Sequence, residues 1–288
     1  MIRYTACGLQ IDSEIPAHHL LPGDPDRPCD LSIRAGSAIP PFEIKVSTPQ
    51  WRQGHDRLLL FGYGGEACLC IAGREMIFVR DMPFLDETCT LLGRALSVIC
   101  LQRGLPVFHA AVLERDGKTV ALGGRSGAGK STLAMELVSL GFRIVADDIA
   151  ACDVGVEGVM ARPLYPVTRR RSNGLALPGW KAIPGTEKQV STDVPFCSDS
   201  RRIDRMMVIE VATGGPLQIA DVPTAQAAAV LEAQNYRKGL ARTLLGYGGL
   251  KEIMERAARV MPVTGITRPP DYPAAQLAAS IVVRLERA

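Results

Sequence analysis

The spacing of apolar and polar positions changes character near residue 85. Before it, apolar runs are short and cut by breakers, with Pro16, Pro22, Pro25, Pro28, Pro40, Pro41 and Pro49 dividing the first part into pieces. Residues 57–61, 67–72 and 74–79 then read as strands of a meander, with turns at Gly62-Tyr63-Gly64-Gly65 and Ala72-Gly73. From residue 86 the period lengthens. Leu92, Ala95, Leu96, Ile99 and Cys100 recur at helical spacing, Asp86 can cap the helix, and Glu87 falls in its first turn. Gly104 and Pro106 end it. This helix is expected to open a second domain. The pattern therefore predicts a β-rich domain over residues 1–85 and an α/β domain over residues 86–288.

Within the second part, residues 107–113 read as one strand carrying His109, followed by a hairpin turn at Asp116-Gly117. Residues 119–123 form a short apolar strand, 132–140 a helix ended by Gly141, and 142–146 a strand that runs into Asp147-Asp148. Residues 150–167 return to short strands and loops. Residues 169–196 are polar and broken by Gly174, Pro178, Gly179, Pro184 and Gly185. So long a segment without evident structure predicts either a mobile substrate-binding element, with Arg169, Arg170 and Arg171 placed to meet an acidic peptide or a transferring phosphate, or an inert solvated loop. Residues 206–211 predict a strand. Residues 224–245 predict a helix weakened at Gly239, and 250–260 and 274–285 two more.

Between the strand at 119–123 and the helix at 132–140 stands Gly124-Arg125-Ser126-Gly127-Ala128-Gly129-Lys130-Ser131, followed by Thr132. This is a complete G-x-x-x-x-G-K-[ST] phosphate-binding loop in the strand-loop-helix setting that the motif requires. Glycines let backbone N–H groups turn inward around phosphate oxygens, and the helix start adds unpaired N–H groups. Lys130 would reach the β- and γ-phosphates of ATP, and the Ser131 hydroxyl would hold Mg²⁺. Asp147 and Asp148 close the next strand, where a parallel sheet would bring carboxylates beside the loop. One can bind or orient the metal while the other accepts a proton from an attacking hydroxyl; alternatively, one only caps a turn. Adjacent acids point to opposite sides of a continuing strand, so both reach the site only if the strand ends or bends there.

Composition adds mainly exclusions. The chain has 288 residues, 47% hydrophobic and 22% charged, and a net charge of +3, which argues for neither nucleic acid nor a membrane surface as partner. No run approaches ~18 uninterrupted apolar residues, so no transmembrane helix is expected, and the N-terminal residues do not read as a secretory signal. The 8 cysteines lack the paired spacing of a zinc site and read as buried thiols of a cytoplasmic protein. A homo-oligomer is neither required nor excluded. His55 with Asp56 offers an acid/base pair but fits a solvated loop better.

From His109 to Asp148 the chain resembles the HPr serine kinase/phosphorylase family: His-Ala-Ala-Val-Leu, a turn, Gly-Gly-Arg-Ser-Gly-Ala-Gly-Lys-Ser-Thr, a helix, then Gly-Phe-Arg-Ile-Val-Ala-Asp-Asp. The resemblance implies an α/β P-loop kinase domain, similar in fold to phosphoenolpyruvate carboxykinases, preceded by a smaller β-rich domain. It implies that Lys130 and Ser131 bind nucleotide and Mg²⁺, that Asp148 activates a substrate serine, that Asp147 assists the metal, and that His109 sits near the transferred phosphate. A packed strand histidine is the alternative for His109. Two departures turn away from the bifunctional enzymes. Thr132 stands where those carry an acid, and Arg169-Arg170-Arg171-Ser172-Asn173-Gly174 does not match their second signature. The β-rich front and the His-Ala-Ala-Val run look more like stand-alone kinases of lasso-peptide biosynthesis, which phosphorylate a precursor peptide. The expectation is an ATP-dependent serine kinase acting on a peptide or small protein. An HPr kinase/phosphorylase and a non-catalytic nucleotide-dependent switch are the alternatives.

Overall fold

The computed structural model describes residues 1–62, 65–79, 85, 90–172 and 177–286. The expected cap at Asp86, the acidic first turn at Glu87, Cys89, the break at Gly174 and the middle of the Gly62–Gly65 turn lie outside the described residues. The chain divides into two compact units. The first comprises Met1–Leu105 with Arg169–Asp193, and the second Pro106–Thr168 with Val194–Ala288.

The first unit is β-rich. Its strands are β1 (Ile2–Ala6), β2 (Leu9–Ser13), β3 (Leu21–Pro22), β4 (Leu31–Gly36), β5 (Val46–Ser47), β6 (Trp51–Gln53), β7 (Arg57–Phe61), β8 (Ala67–Ile71) and β9 (Glu75–Val79). They form a nine-stranded sheet in the order β3-β1-β2-β4-β9-β8-β7-β6-β5. The expected meander is its β7-β8-β9 part, paired antiparallel, while β4 runs parallel to both β2 and β9. Helix α1 (Thr90–Gln102) packs on β7 and β8, where the Cys70 thiol donates to the Ala95 carbonyl. The boundary expected at residue 86 therefore moves to Leu105/Pro106. The apolar stripe of α1 marks it for burial, and the apolar strands β7 and β8, buried at Leu58–Leu60 and Cys68–Cys70, provide the surface.

The second unit opens with β10 (Val107–Phe108), β11 (Ala111–Arg115), β12 (Lys118–Gly124), α2 (Lys130–Ser139), β13 (Arg143–Ala146), β14 (Ala150–Val154) and β15 (Val159–Ala161). Strands β16 (Thr168–Arg171), β17 (Lys181–Ala182) and β18 (Lys188–Ser191), which from Arg169 onward belong to the first unit, form a small sheet in the order β16-β18-β17. Part of the segment expected to be a structureless loop is therefore paired backbone. Arg169–Arg171 are strand residues, and the Arg170 guanidinium stacks on Trp180 at 5.7 Å. The chain returns with β19 (Arg201–Arg202), β20 (Arg205–Val211), β21 (Gln218–Asp221), α3 (Thr224–Ala233), α4 (Lys238–Leu245), α5 (Tyr247–Val260), β22 (Val263–Arg268) and α6 (Ala274–Glu286).

The main sheet of this unit runs β13-β11-β12-β20-β22-β21. Alternate residues of its strands, among them Val120, Leu122, Met207, Ile209 and Ile266, bury one face against Leu133 and Leu137 of α2 and Leu277 and Ile281 of α6. A four-stranded sheet, β10-β14-β15-β19, accompanies it. The strand expected over residues 107–113 is in fact two, β10 and β11, each in a different sheet, and His109 lies in the break. The helix expected over residues 224–245 is also two. It breaks at Gln234–Arg237, not at Gly239, because Tyr236 N–H and the Gln234 carbonyl bond instead to Val107 and His109.

Candidate active site

The glycine loop is built by its two flanks. Strand β12 ends at Gly124, whose φ is 138°, and a Cβ there would stand 2.6 Å from the Ile209 carbonyl oxygen of neighbouring β20. At the other end Gly129 is left-handed, with φ 93°, and a Cβ would come within 2.9 Å of an Arg268 nitrogen. Neither position accepts a side chain without distortion. Leu133 N–H bonds the Gly129 carbonyl, so the amides before Leu133 lie outside the helix's own ladder, as at any helix start. Arg125, Ser126 and Gly127 are exposed, Ser131 is half-buried and Thr132 is exposed. Lys130 is buried and folded back on the loop, where its Nζ donates to the carbonyls of Gly124 at 2.7 Å and Arg125 at 3.4 Å. These contacts keep the ammonium at the loop.

Two residues that sequence reasoning missed hold the loop in place. The buried side-chain oxygen of Gln234 accepts from Gly124 N–H at 2.7 Å. Arg268, at the end of β22, donates to the Ala128 carbonyl at 3.1 Å and to the carbonyls of Pro269 and Pro270 at 2.9 Å each. Among the described residues its guanidinium meets no carboxylate, so its charge is not neutralised by an acid. No sequence motif marks either residue. The nearest hint is Pro269-Pro270, which forces an extended turn directly after Arg268.

The carboxylates arrive by sheet topology. Strand β11 pairs antiparallel with both β12 and β13, so β13 runs parallel to β12 with β11 inserted between them. The carboxyl ends of β12 and β13 and the start of β11 thus share one sheet edge. Ala111 pairs with Leu122 and Val112 with Ala146, which puts His109 level with Gly124 and brings the Asp147-Asp148 turn to the same edge. The strand ends at Ala146, and Asp148 adopts a left-handed φ of 68°. The bend sends the two acids to different partners. Asp147 is buried, 4% exposed, and its Oδ2 accepts from the Thr168 hydroxyl at 2.7 Å. Asp148 is half-buried, and its Oδ1 lies 3.2 Å from His109 Nε2.

His109 is therefore a paired histidine at the mouth of the sheet rather than a packed strand residue. Its backbone N–H donates to the Gln234 carbonyl at 2.7 Å, and its ring meets Tyr236 edge-on at 5.9 Å. A continuous chain of contacts runs Asp148–His109–Gln234–Gly124. Across the break that supplies Gln234, Glu232 binds Arg242 at 2.6 Å and Lys238 at 3.3 Å. Burial opposes ionisation of Glu232, but the hydrogen bonds from Arg242 and Lys238 outweigh it and hold the carboxyl below its usual range.

The structure thus joins Lys130 to the glycine loop and Asp148 to His109, with Gln234 linking the two groups. Asp147 is directed to Thr168, and Arg169–Arg171 fall in the small sheet. Among the described residues no group of three or more His, Cys, Asp or Glu could hold a metal ion. Ser131 and Asp147 are oxygen donors of the kind that Mg²⁺ takes beside substrate phosphates. No disulfide joins the described cysteines, and no helix among the described residues is long and apolar enough to cross a membrane.

The chain matches no protein-family model and no curated protein. Among solved structures it is similar to the HPr(Ser) kinase/phosphatase from Coxiella burnetii, at 14% sequence identity and a TM-score of 0.34, over 63% of this chain and 95% of that one. So loose a likeness decides neither the fold nor the chemistry, and the functional reading rests on the site's own geometry.

Proposed function

We propose that the chain is an ATP-dependent serine kinase acting on a peptide or small protein. The observation that carries this reading is the tethered arrangement of the site: a glycine loop with an inward lysine, joined through Gln234 to a His109–Asp148 pair at the same sheet edge. A phosphate-binding loop alone would serve a nucleotide switch equally well. An acid paired with a histidine beside it favours the enzyme.

In the proposed reaction the substrate serine oxygen attacks the γ-phosphorus, the bond to the β-phosphate oxygen breaks, and ADP leaves. Asp148 accepts the serine proton, and His109 holds the carboxylate in place. Lys130 exchanges the Gly124 and Arg125 carbonyls for β- and γ-phosphate oxygens, and the loop amides take the remaining charge. Ser131 and Asp147 are the residues proposed to hold Mg²⁺, which when bound neutralises charge on the transferring phosphoryl group. The finer assignment, a precursor peptide of lasso-peptide biosynthesis, is supported by the resemblance of the His109–Asp148 stretch and the β-rich front alone.

The test is incubation with ATP, Mg²⁺ and candidate peptides, read by mass. Phosphoserine on a peptide is expected from the native protein. Lys130→Ala is expected to lower transfer by about 10³-fold and to weaken ATP binding. Unchanged transfer in that variant would sink the phosphate-loop assignment.

A further inference from the structure

The phosphate loop accounts for only one end of a nucleotide. A cavity of about 210 Å³ opens where the loop becomes helix α2, and Gly129 and Thr132 border it. That position is continuous with the loop: a triphosphate held at Lys130 and Ser131 brings the rest of the nucleotide within reach of it. The volume lies below the range of roughly 300–1,000 Å³ that encloses a drug-sized ligand, so it suits a single ring system.

The lining has the chemistry of a base site. Leu133 and Leu277 are buried and supply an apolar floor. Arg268 and Tyr272 contribute two flat side chains, the kind of surface on which a nucleobase stacks. Arg268 is held by three backbone carbonyls and meets no carboxylate among the described residues, so its position is fixed and its charge is open to an anion. Asp271, exposed at the rim, can accept from a ribose hydroxyl or an exocyclic amine.

The geometry points to this cavity as the seat of the nucleoside half of the nucleotide. The base rests on Leu133 and Leu277 against Arg268 and Tyr272, and the Arg268 charge serves the α-phosphate. The inference rests on the kinase reading, since it needs the phosphates on the glycine loop.

Titration calorimetry with two probes, ATP and inorganic tripolyphosphate, each with Mg²⁺, separates the two ideas. Ala274 lines the cavity at the start of α6 and is half-buried, so Ala274→Phe should fill it. Ala274→Phe is expected to weaken ATP about 10-fold while leaving tripolyphosphate within about twofold, the latter also reporting that the protein is folded. Tyr272→Ala removes a stacking partner without adding bulk and is expected to weaken ATP at least about fivefold with the same selectivity. Equal affinity of the native protein for both probes, or equal losses for both in Tyr272→Ala, would overturn the nucleoside site alone. Binding of neither probe by the native protein would overturn the phosphate-loop reading, and the nucleoside site with it.

Discussion

In the glycine loop Gly124, Gly127 and Gly129 take φ values of 138°, 88° and 93°, whereas at the carboxylate turn Asp148 takes 68° with a full side chain. Both regions bend sharply at the same sheet edge, one with residues suited to positive φ and one against the ordinary preference of an L-residue. A non-glycine residue in the left-handed region costs of order 1–2 kcal/mol, less for Asp than for most. In the loop the backbone itself is the proposed ligand, so side chains are dispensable and glycine removes the cost. At the turn the proposed mechanism requires a carboxylate, and the fold accepts the positive φ while placing it against His109.

The sharpest test of that contrast is the acid. Asp148→Asn is expected to preserve fold and ATP binding and to lower transfer by ~10²-fold or more, as removal of a positioned base does. If Asp147→Asn is the inactive variant and Asp148→Asn is nearly normal, the strained residue is not the base and the roles of the two acids are exchanged. Next comes the brace between the regions. Gln234→Ala leaves the buried Gly124 amide without its acceptor and is expected to cost about 1–3 kcal/mol in chemical unfolding, with weaker ATP binding. Full stability in that variant would show that the loop holds itself.

Gly129→Ala tests the other side of the contrast. Its φ of 93° and the Arg268 nitrogen 2.9 Å from the added Cβ predict a loss of about 1–2 kcal/mol, measured by thermal unfolding. A neutral result would mean that the loop relaxes to accept a side chain and that glycine is not needed there. The smallest effect is expected at Glu232, whose carboxyl is held below its usual range in the folded chain. Its contribution is fully present above the unfolded carboxylate pKa and is lost as pH falls through the lower folded value. Glu232→Gln should therefore lower stability at neutral pH by about 1 kcal/mol or less, with the difference from the native protein vanishing in acid. A constant difference at every pH would remove the charge from the explanation.

The parts of the site that were legible in the sequence are those made by neighbours in the chain. The loop, the helix behind it, the stop at Gly141, the hairpin at Asp116-Gly117 and the acids after β13 follow from local rules of glycine, turn and apolar period. Pairing across long separations leaves no such trace. Nothing in the spacing of residues 107–113 shows that the chain changes sheets at His109, or that β11 slips between β12 and β13. The stripe on α1 marks burial without naming its partner. Strands as short as Lys181–Ala182 and Lys188–Ser191, polar and flanked by breakers, read as loop because their pairing makes them strands and their composition does not. Gln234 and Arg268 were invisible for the same reason, each lying more than a hundred residues from its partner in the loop.

That difference in sequence separation carries over to assembly. The proposed reacting groups, from His109 through the hairpin and α2 to Asp148, belong to one contiguous stretch with short loops to close, the kind of region that can organise early in folding. Its restraints at Gln234 and Arg268 come from the C-terminal part of the chain and can engage only after long loops close. A local opening of the α3–β22 region would therefore release the glycine loop at both Gly124 and Ala128 without displacing any proposed catalytic residue along the chain. Amide exchange at Gly124 would report that opening directly.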